Sequence, residues 1–191
     1  IPKGILFGGL AIIVLGIIDD IFYVSGIVQI LFQFIAAASV VISGVSITKL
    51  VFLGSQISLV GFSLEPINIL GFQYVFNFPA DIITIIWIVA LMNFINWVGG
   101  IDALNGSITS IALFTVIILV FTSRNPVGLA LTPFIALYLG SVLGVLPYNY
   151  HPSKIFYGSV GDYLNGYLLA IFAILTGTKW STTLILLALP I

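Results

Sequence analysis

The chain has 191 residues, of which 61% are hydrophobic and only 6% are charged, and its formal net charge is −1. A soluble domain carries roughly 25% charged residues, so this composition excludes an ordinary soluble fold and predicts a polytopic integral membrane protein. No nucleic acid is expected as a partner, because the sequence has no basic patch to neutralise phosphates. The absence of cysteine excludes disulfides and metal sites built on thiolates.

Seven apolar runs approach the roughly 20 residues that a membrane-spanning helix needs. In chain order these runs are 4–18, 24–44, 82–98, 107–123, 127–147, 162–177 and 181–191. The predicted fold class is therefore an all-α polytopic membrane protein with about seven transmembrane helices. The first and last runs are short, and the chain starts without Met or a signal-peptide pattern. We therefore expect residues 1–191 to be a single transmembrane domain and an internal piece of a longer chain.

The stretch 45–80 departs from the helical pattern. Its segments 56–60 and 73–76 are rich in β-branched or aromatic residues that alternate with others, and glycine and proline separate them. An open sheet edge cannot face lipid, because its backbone groups would lack hydrogen-bond partners. The pattern therefore predicts a small extracytoplasmic β-hairpin or an excursion along the membrane interface.

Two adjacent carboxylates, Asp19 and Asp20, end the first apolar run. Charged side chains in membrane segments indicate function by default. These carboxylates also oppose the helix dipole, whose C-terminal end favours cations. A bound divalent cation would remove this conflict, because hard cations take carboxylate oxygens as ligands. The alternative is a solvated turn whose acids cap the next helix.

The acidic residues of the chain are predicted to gather on one membrane face. If each apolar run crosses once, the turns at 19–23, 99–106 and 148–161 share that face. Four of the six acidic residues then lie there, namely Asp19, Asp20, Asp102 and Asp162. Acidic loops that meet at one face are what a metal–diphosphate site needs. Lys154 is the one residue of five Lys and Arg on this face, so the positive-inside rule alone would place the face outside the cytoplasm.

The second polar loop follows the third apolar run. Asn93 and Asn96 are three residues apart, so on a helix they share one side. Such amides either bind a ligand or hold helices together. Gly99 and Gly100 then break the helix, and backbone N–H groups at such a turn can hold an anion. Asp102 follows at the mouth of this loop.

A third polar segment, 148–162, is rich in tyrosine and contains His151, the one histidine of the chain. Gly158 and Gly161 flank the predicted start of a helix, whose N-terminus suits a phosphate. A plain tight turn is the alternative. Lys154 could pair with a phosphate or reach a lipid headgroup, and the histidine could equally belong to an interfacial aromatic belt.

Together, the order and spacing of these motifs resemble the polyprenyl-phosphate N-acetylaminosugar-1-phosphate transferases (glycosyltransferase family 4). This family includes UDP-GlcNAc:undecaprenyl-phosphate and phospho-N-acetylmuramoyl-pentapeptide transferases. The resemblance covers essentially the whole chain, with matches at 16–20, 93–104 and 148–162. It implies transfer of a sugar-1-phosphate from a UDP-N-acetylaminosugar to polyprenyl (undecaprenyl) phosphate, with release of UMP, in cell-envelope glycan synthesis. The third motif looks more like the branch that uses UDP-GlcNAc.

The resemblance also implies a setting and roles for individual residues. The cofactor would be Mg²⁺, with Mn²⁺ as a substitute, and the active face would be the cytoplasmic face of a prokaryotic plasma membrane; some family members are homodimers. The catalytic residues would be Asp19, Asp20 and Asp102, and the metal ligands would be Asp19 and Asp102. Asp162 is added as a third metal ligand because it follows Ser159, the position of the family's metal-binding Asp, by about one helical turn and would reach the same metal by a shifted register. The substrate-binding residues would be Asn93, Asn96, Gly100, Asn149, Lys154 and Gly158.

Four positions depart from the family pattern. The first Asp of the family's second motif falls on Gly99, and the Gly after its second Asp falls on Ala103. The Asp of the third motif falls on Ser159, whereas the family's Ser falls on Asp162. Loss of an anionic ligand weakens divalent binding, so a catalytically impaired relative that binds lipid phosphate or nucleotide-sugar without turnover is the alternative function. A transporter is a further alternative, but its acids would lie deep within the helices.

Overall fold

The computed structural model describes residues 3–52, 55–63, 67–69 and 72–178. The chain divides into two compact units, Ile1–Ala90 and Leu91–Ile191. The helices are α1 (Lys3–Phe22), α2 (Gly26–Ile42), α3 (Ala80–Val98), α4 (Leu104–Ser123), α5 (Pro126–Asn149) and α6 (Gly158–Thr176). The strands are β1 (Lys49–Phe52), β2 (Ser55–Ser58), β3 (Val60–Ser63), β4 (Ile67–Ile69), β5 (Phe72–Tyr74) and β6 (Asn77–Pro79). That residues 1–191 form a single domain stays a prediction.

Five of the described helices, α1 and α3 to α6, are long and apolar enough to cross a membrane. Helix α2 is apolar but has only 17 residues, four fewer than the predicted run 24–44. Six of the seven predicted runs coincide with α1 to α6 to within a few residues, and the seventh, 181–191, lies outside the described residues. The predicted class of an all-α integral membrane protein is thereby confirmed.

In the first unit, α1 and α2 pack as an antiparallel pair joined by a short turn. The Ser39 hydroxyl near the end of α2 donates a hydrogen bond to the Gly4 carbonyl at the start of α1, at 2.9 Å. A Cβ on Gly4 would overlap the Ser39 carbonyl, so the two helices approach closely at this point. Small residues allow such close contacts between membrane helices.

The described residues of the stretch 45–80 form three two-stranded antiparallel sheets, β1 with β2, β3 with β6, and β4 with β5. The β4–β5 pair lies in sequence inside the β3–β6 pair, and the register between β3 and β6 shifts after Val60. The Ile47 N–H, just before the first strand, donates to the Thr84 hydroxyl of α3 at 2.8 Å. The predicted small hairpin is confirmed, with more strands than the sequence suggested.

Asp81 anchors this β-region to the start of α3. Its side chain is only 1% exposed, and its Oδ2 accepts the Tyr74 hydroxyl at 2.5 Å and the Asn77 N–H at 2.7 Å. The helix dipole also stabilises a carboxylate in the first turn of a helix. Burial of the Tyr74 hydroxyl and the neighbouring Asp81 carboxylate raise the pKa of Tyr74 well above its ordinary value.

Replacing Tyr74 with Phe is expected to destabilise the protein by about 1.5–3 kcal/mol, the usual contribution of a hydrogen bond to a charged group. The raised pKa keeps the hydroxyl protonated in the folded state, so its contribution is fully present below about pH 10 and is lost as pH rises further. Thermal unfolding in detergent at pH 7 measures the effect. The exposed Tyr148 provides a control, and an equal loss in Tyr148→Phe would contradict the prediction.

In the second unit, α4, α5 and α6 pack with the end of α3. Helix α5 begins at Asn125, whose Oδ1 accepts the Val127 and Gly128 N–H groups at 3.1 and 3.4 Å. The proline at 126 suits the first helical position, because that residue needs no N–H partner. The Asn125 amide also donates to the Thr176 carbonyl at the end of α6, at 3.1 Å. This cap therefore fixes one end of the three-helix packing.

Candidate functional site

Asp102 lies in the turn between α3 and α4, and the segment before α6 holds its carboxylate. Its Oδ2 lies 2.9 Å from His151 Nδ1 and accepts the Ser153 N–H at 3.3 Å. The hydrogen bonds from His151 and Ser153 lower the pKa of Asp102, so the carboxylate stays ionised at neutral pH. The imidazole of His151 is 83% exposed, whereas the Asp102 side chain is 23% exposed. The result is an oriented anion at one end of the second unit.

Asn149, the last residue of α5, shapes the turn around Asp102. The Ala103 N–H donates to both the backbone oxygen and the side-chain Oδ1 of Asn149, each at 3.0 Å. The Asn149 amide in turn donates to the Ile155 carbonyl at 2.9 Å. Ala103 has φ +60°, a left-handed conformation that favours glycine, and these bonds hold it there. The buried Asn149 side chain therefore has a structural role, and its predicted substrate contact stays a prediction.

The segment between α5 and α6 folds back on itself. The Lys154 and Ile155 N–H groups both donate to the Tyr148 carbonyl, at 2.8 and 3.2 Å. The side chain of Lys154 is exposed. The lysine is therefore accessible, and its predicted contact with a phosphate or a lipid headgroup stays a prediction.

Tyr157 fastens the end of the same segment to α4 and α5. Its hydroxyl donates to the Val142 carbonyl at 3.0 Å, and a Cβ on Gly106 would come within 2.5 Å of that hydroxyl. Burial of the Tyr157 hydroxyl and the nearby Asp162 charge raise the pKa of Tyr157. Gly158 follows with φ +65° and begins α6. Gly158 therefore begins the helix, whereas Gly161 lies inside its first turn, and the predicted contact of this turn with a phosphate stays a prediction.

Asp162 lies in the second turn of α6 and is only 7% exposed. Its Oδ1 accepts a hydrogen bond from the Asn105 amide of α4. A Cβ on Gly99 would overlap the Asp162 carboxylate. In the sequence, Asp162 follows by three residues Ser159, which is the position of the family's Asp in the third motif. The structure adds that Asp162 lies against Gly99, the departure in the second motif.

A buried polar network continues from Asp162 through three helices. Asn105 Oδ1 accepts the Thr109 hydroxyl and the Asn165 amide, each at 3.0 Å. Asn165 Oδ1 accepts the Tyr138 hydroxyl at 2.5 Å. These residues belong to none of the three motifs, so the sequence did not indicate that they contact the site. The available signal was an Asn in each of two apolar helices, since polar side chains in membrane spans seek partners.

The acids at 19 and 20 belong to the first unit. Both lie in the last turns of α1, so the predicted turn at 19–23 is wrong: the helix includes these acids and continues to residue 22. Asp19 is 9% exposed, and its Oδ1 accepts the Val24 N–H at 2.9 Å and the Gln29 amide at 2.8 Å. The bond to Val24 lets an acid at a helix C-terminus hold the turn into α2. Asp19 is buried and Ser25 is the cap residue of α2, so this contact is not the solvated, capping turn of the alternative, and the catalytic and metal roles of Asp19 and Asp20 stay predictions.

The remaining predicted residues lie in the last part of α3, in the turn that follows it and in the first turn of α6. Asn93 and Asn96 lie in the last part of α3 and are half-buried, Gly100 is exposed in the following turn, and Ser159 is in the first turn of α6. Open space surrounds the position that a Cβ on Gly100 would take. Their roles in binding or metal coordination stay predictions.

The donor chemistry of the second unit fits a magnesium ion carried on a diphosphate. Within the described ranges 3–52, 55–63, 67–69 and 72–178, no three His, Cys, Asp or Glu side chains group as a metal site. Magnesium, however, commonly takes only one or two carboxylates and completes its shell with water and substrate phosphates. Asp102 and Asp162, the two acids of this unit, have the carboxylate oxygens that such an ion takes, and their roles as metal ligands stay predictions.

The helices define an integral membrane protein. Its loop cluster, formed by the connections 99–103 and 150–157, presents an oriented carboxylate, Asp102. A family model described as Glycosyl transferase family 4 matches residues 3–177. The chain belongs to this family.

Several curated bacterial proteins are similar to the chain over part of its length. A probable undecaprenyl-phosphate N-acetylglucosaminyl 1-phosphate transferase of Bacillus subtilis (strain 168) is 35% identical over 109 residues, which cover 57% of this chain and 29% of the relative. A phospho-N-acetylmuramoyl-pentapeptide-transferase of Limosilactobacillus reuteri (strain DSM 20016) is 34% identical over 105 residues, which cover 53% and 32%. One of the same name from Lactococcus lactis subsp. cremoris (strain MG1363) is 35% identical over 107 residues, which cover 55% and 31%. The matched part thus spans about a third of the length of these relatives.

Proposed function

We propose that the protein transfers an N-acetylaminosugar-1-phosphate from a UDP-sugar to a polyprenyl phosphate at the cytoplasmic face of a bacterial plasma membrane. Membership of glycosyl transferase family 4 and the names of the similar bacterial proteins support this proposal. The observation that carries it is the Asp102 carboxylate, held by His151 and the Ser153 N–H in the loop cluster. UDP-GlcNAc is the preferred donor, in line with the third motif and the Bacillus subtilis relative.

The proposed reaction is a displacement at phosphorus. An oxygen of the polyprenyl phosphate forms a bond to the β-phosphorus of the UDP-sugar, the bond from that phosphorus to the bridging oxygen breaks, and UMP leaves with the electron pair. The attacking phosphate is already ionised, so catalysis is mainly positioning and neutralisation of charge. Asp102 and Asp162 would hold Mg²⁺, which when bound neutralises charge on the diphosphate. The histidine and Ser153 fix the orientation of Asp102 before substrate arrives.

A catalytically impaired relative is the second candidate function. The observation that favours it is Ser159, whose hydroxyl supplies no charge in the first turn of α6. Such a protein would bind lipid phosphate or nucleotide-sugar without turnover.

UMP release by the full-length protein in detergent distinguishes the two candidates. The assay contains UDP-GlcNAc and undecaprenyl phosphate, and each of lipid and Mg²⁺ is omitted in turn, with Mn²⁺ as a replacement. Release that requires both lipid and metal supports the transferase. Absence of release from both UDP-GlcNAc and UDP-MurNAc-pentapeptide, by protein that elutes as a single folded species, overturns it in favour of the impaired relative.

A further inference from the structure

We propose that Asp162 supplies, at the turn after α3, the carboxylate that residue 99 lacks, and that Asn105 and Asn165 are positioning residues for it. The inference deepens the proposed function and rests on it, because it identifies which side chains prepare the site for a metal-bound diphosphate. Its structural part, the coupling of positions 99 and 162, is measurable without any turnover.

The first step is that a side chain at residue 99 would occupy the same space as the Asp162 carboxylate. A Cβ built on Gly99 would overlap the carboxylate of Asp162, and Asp162 Oδ1 would lie 2.7 Å from it. A neighbouring carboxylate is not the far end of a long flexible side chain, so it cannot yield easily in a packed site. The two positions therefore share one volume, which can hold a carboxylate from 162 or a side chain from 99, but not both.

The second step is the direction of the hydrogen bonds that reach Asp162. Asn105 Oδ1 accepts from Thr109 and Asn165, so the amide nitrogen of Asn105 is left to face Asp162. Asn165 Oδ1 likewise accepts from Tyr138, which leaves its nitrogen to donate to Asn105. Along this series of hydrogen bonds, from Tyr138 to Asn165 and then to Asn105, every donor therefore points towards the Asp162 carboxylate.

The third step is the effect of these aligned hydrogen bonds on the Asp162 carboxylate. Burial of a carboxylate is costly unless hydrogen bonds compensate it, and bonds aligned in one direction polarise and strengthen one another. The side chains of Asn105 and Asn165 are themselves 1% and 2% exposed, which locks their orientation. The network therefore holds Asp162 in one orientation beside the turn that leads to Asp102. This is the preorganised carboxylate that a diphosphate–metal complex requires.

An exchange of the two side chains tests the shared volume. Gly99→Ala is expected to lower the melting temperature of the full-length protein in detergent, and adding Asp162→Ser is expected to recover most of that loss. Asp162→Ser alone is expected to weaken Mn²⁺ binding and reduce UMP release by at least about tenfold. Gly99→Asp combined with Asp162→Ser is expected to recover both, because a carboxylate again occupies the shared volume.

Removal of single donors tests the positioning role. Asn105→Leu keeps a side chain of similar size, removes the donor and adds no charge, and it is expected to raise the Mn²⁺ dissociation constant by about 10- to 100-fold, the usual effect of losing a bond to a metal ligand. Asn165→Leu should act in the same direction, and Tyr138→Phe should act least, because its hydroxyl is farthest from the carboxylate along the chain. The KM for polyprenyl phosphate should not change in parallel.

Asn125→Ala is the matched control. It removes a cap at the opposite end of α4 from Asn105, about 30 Å away along a 20-residue helix. It should lower the melting temperature without changing Mn²⁺ affinity. If Asn105→Leu behaves like this control, the network is structural only and the positioning role is overturned.

The outcomes separate this inference from the proposed function. A wild-type protein that releases no UMP, but shows the thermal coupling and the Mn²⁺ effects, contradicts the proposed function alone. Three results overturn the inference. The first is that Asp162→Ser binds Mn²⁺ as tightly as the wild type, and the second is that the wild type binds no Mn²⁺. The third is that Gly99→Asp combined with Asp162→Ser performs no better than Asp162→Ser alone.

Discussion

Asp102→Asn is expected to reduce UMP release by about 100- to 1,000-fold, the effect of removing one preorganised electrostatic group from an active site. Asn keeps the shape of the side chain and can still accept the Ser153 N–H, but it carries no charge to attract a metal-bound diphosphate. An aspartate is ordinarily ionised at neutral pH, and the hydrogen bonds from His151 and Ser153 lower the pKa of Asp102 further, so the loss should appear across the neutral range. Initial rates of UMP release at saturating UDP-GlcNAc measure the effect.

Two further variants separate charge from orientation. His151→Ala removes a contact that orients Asp102 while the carboxylate and its bond to Ser153 remain, so a smaller loss of about tenfold is expected. Lys49→Gln neutralises an exposed charge on β1 and should leave the rate unchanged. Wild-type activity in Asp102→Asn, or an equal loss in Lys49→Gln, would remove Asp102 from the proposed mechanism.

The sequence was sufficient for the membrane helices because their signal is local. A run of apolar residues long enough to cross a bilayer specifies its own backbone hydrogen bonds, so α3 to α6 could be predicted to within a few residues. The end of α1 was less predictable. Two adjacent acids suggest a solvated turn, but the Val24 N–H and the Gln29 amide compensate Asp19 within the helix, and this compensation depends on residues five and ten positions later.

The candidate site could be predicted in its residues but not in its contacts. The Asp102 loop and the His151 segment were recognised as motifs, whereas the bond between them joins residues 49 positions apart. The relation of Gly99 to Asp162 was hidden for the same reason, since each is a separate departure until the fold brings them together. The single Asn in α4 that contacts Asp162 carried no motif at all, because a lone amide in an apolar helix more often joins helices than serves a site.

The packing of α6 against the end of α3 gives the largest expected effect on stability. In the described structure a Cβ on Gly166 would lie 2.5 Å from Met92 Cα and 2.6 Å from the Leu91 carbonyl oxygen. These atoms are backbone, so no side-chain rotation can relieve the overlap and the helices must separate. Separation of the helices would remove the dispersion contacts around this point, and such contacts drive the association of helices in lipid.

Gly166→Ala is therefore expected to destabilise the protein by about 3 kcal/mol, the upper end of the usual cost of overpacking, and to lower its yield as a folded species. Gly140→Ala in α5 is the matched control, because nothing lies within 4 Å of the Cβ it adds. Since glycine is a poor helix former, that control should be neutral or stabilising by up to about 1 kcal/mol. The apparent melting temperatures of Gly166→Ala and Gly140→Ala in detergent, followed by size-exclusion chromatography, measure the difference. Equal melting temperatures would mean that α6 and α3 are not packed at Gly166 as described.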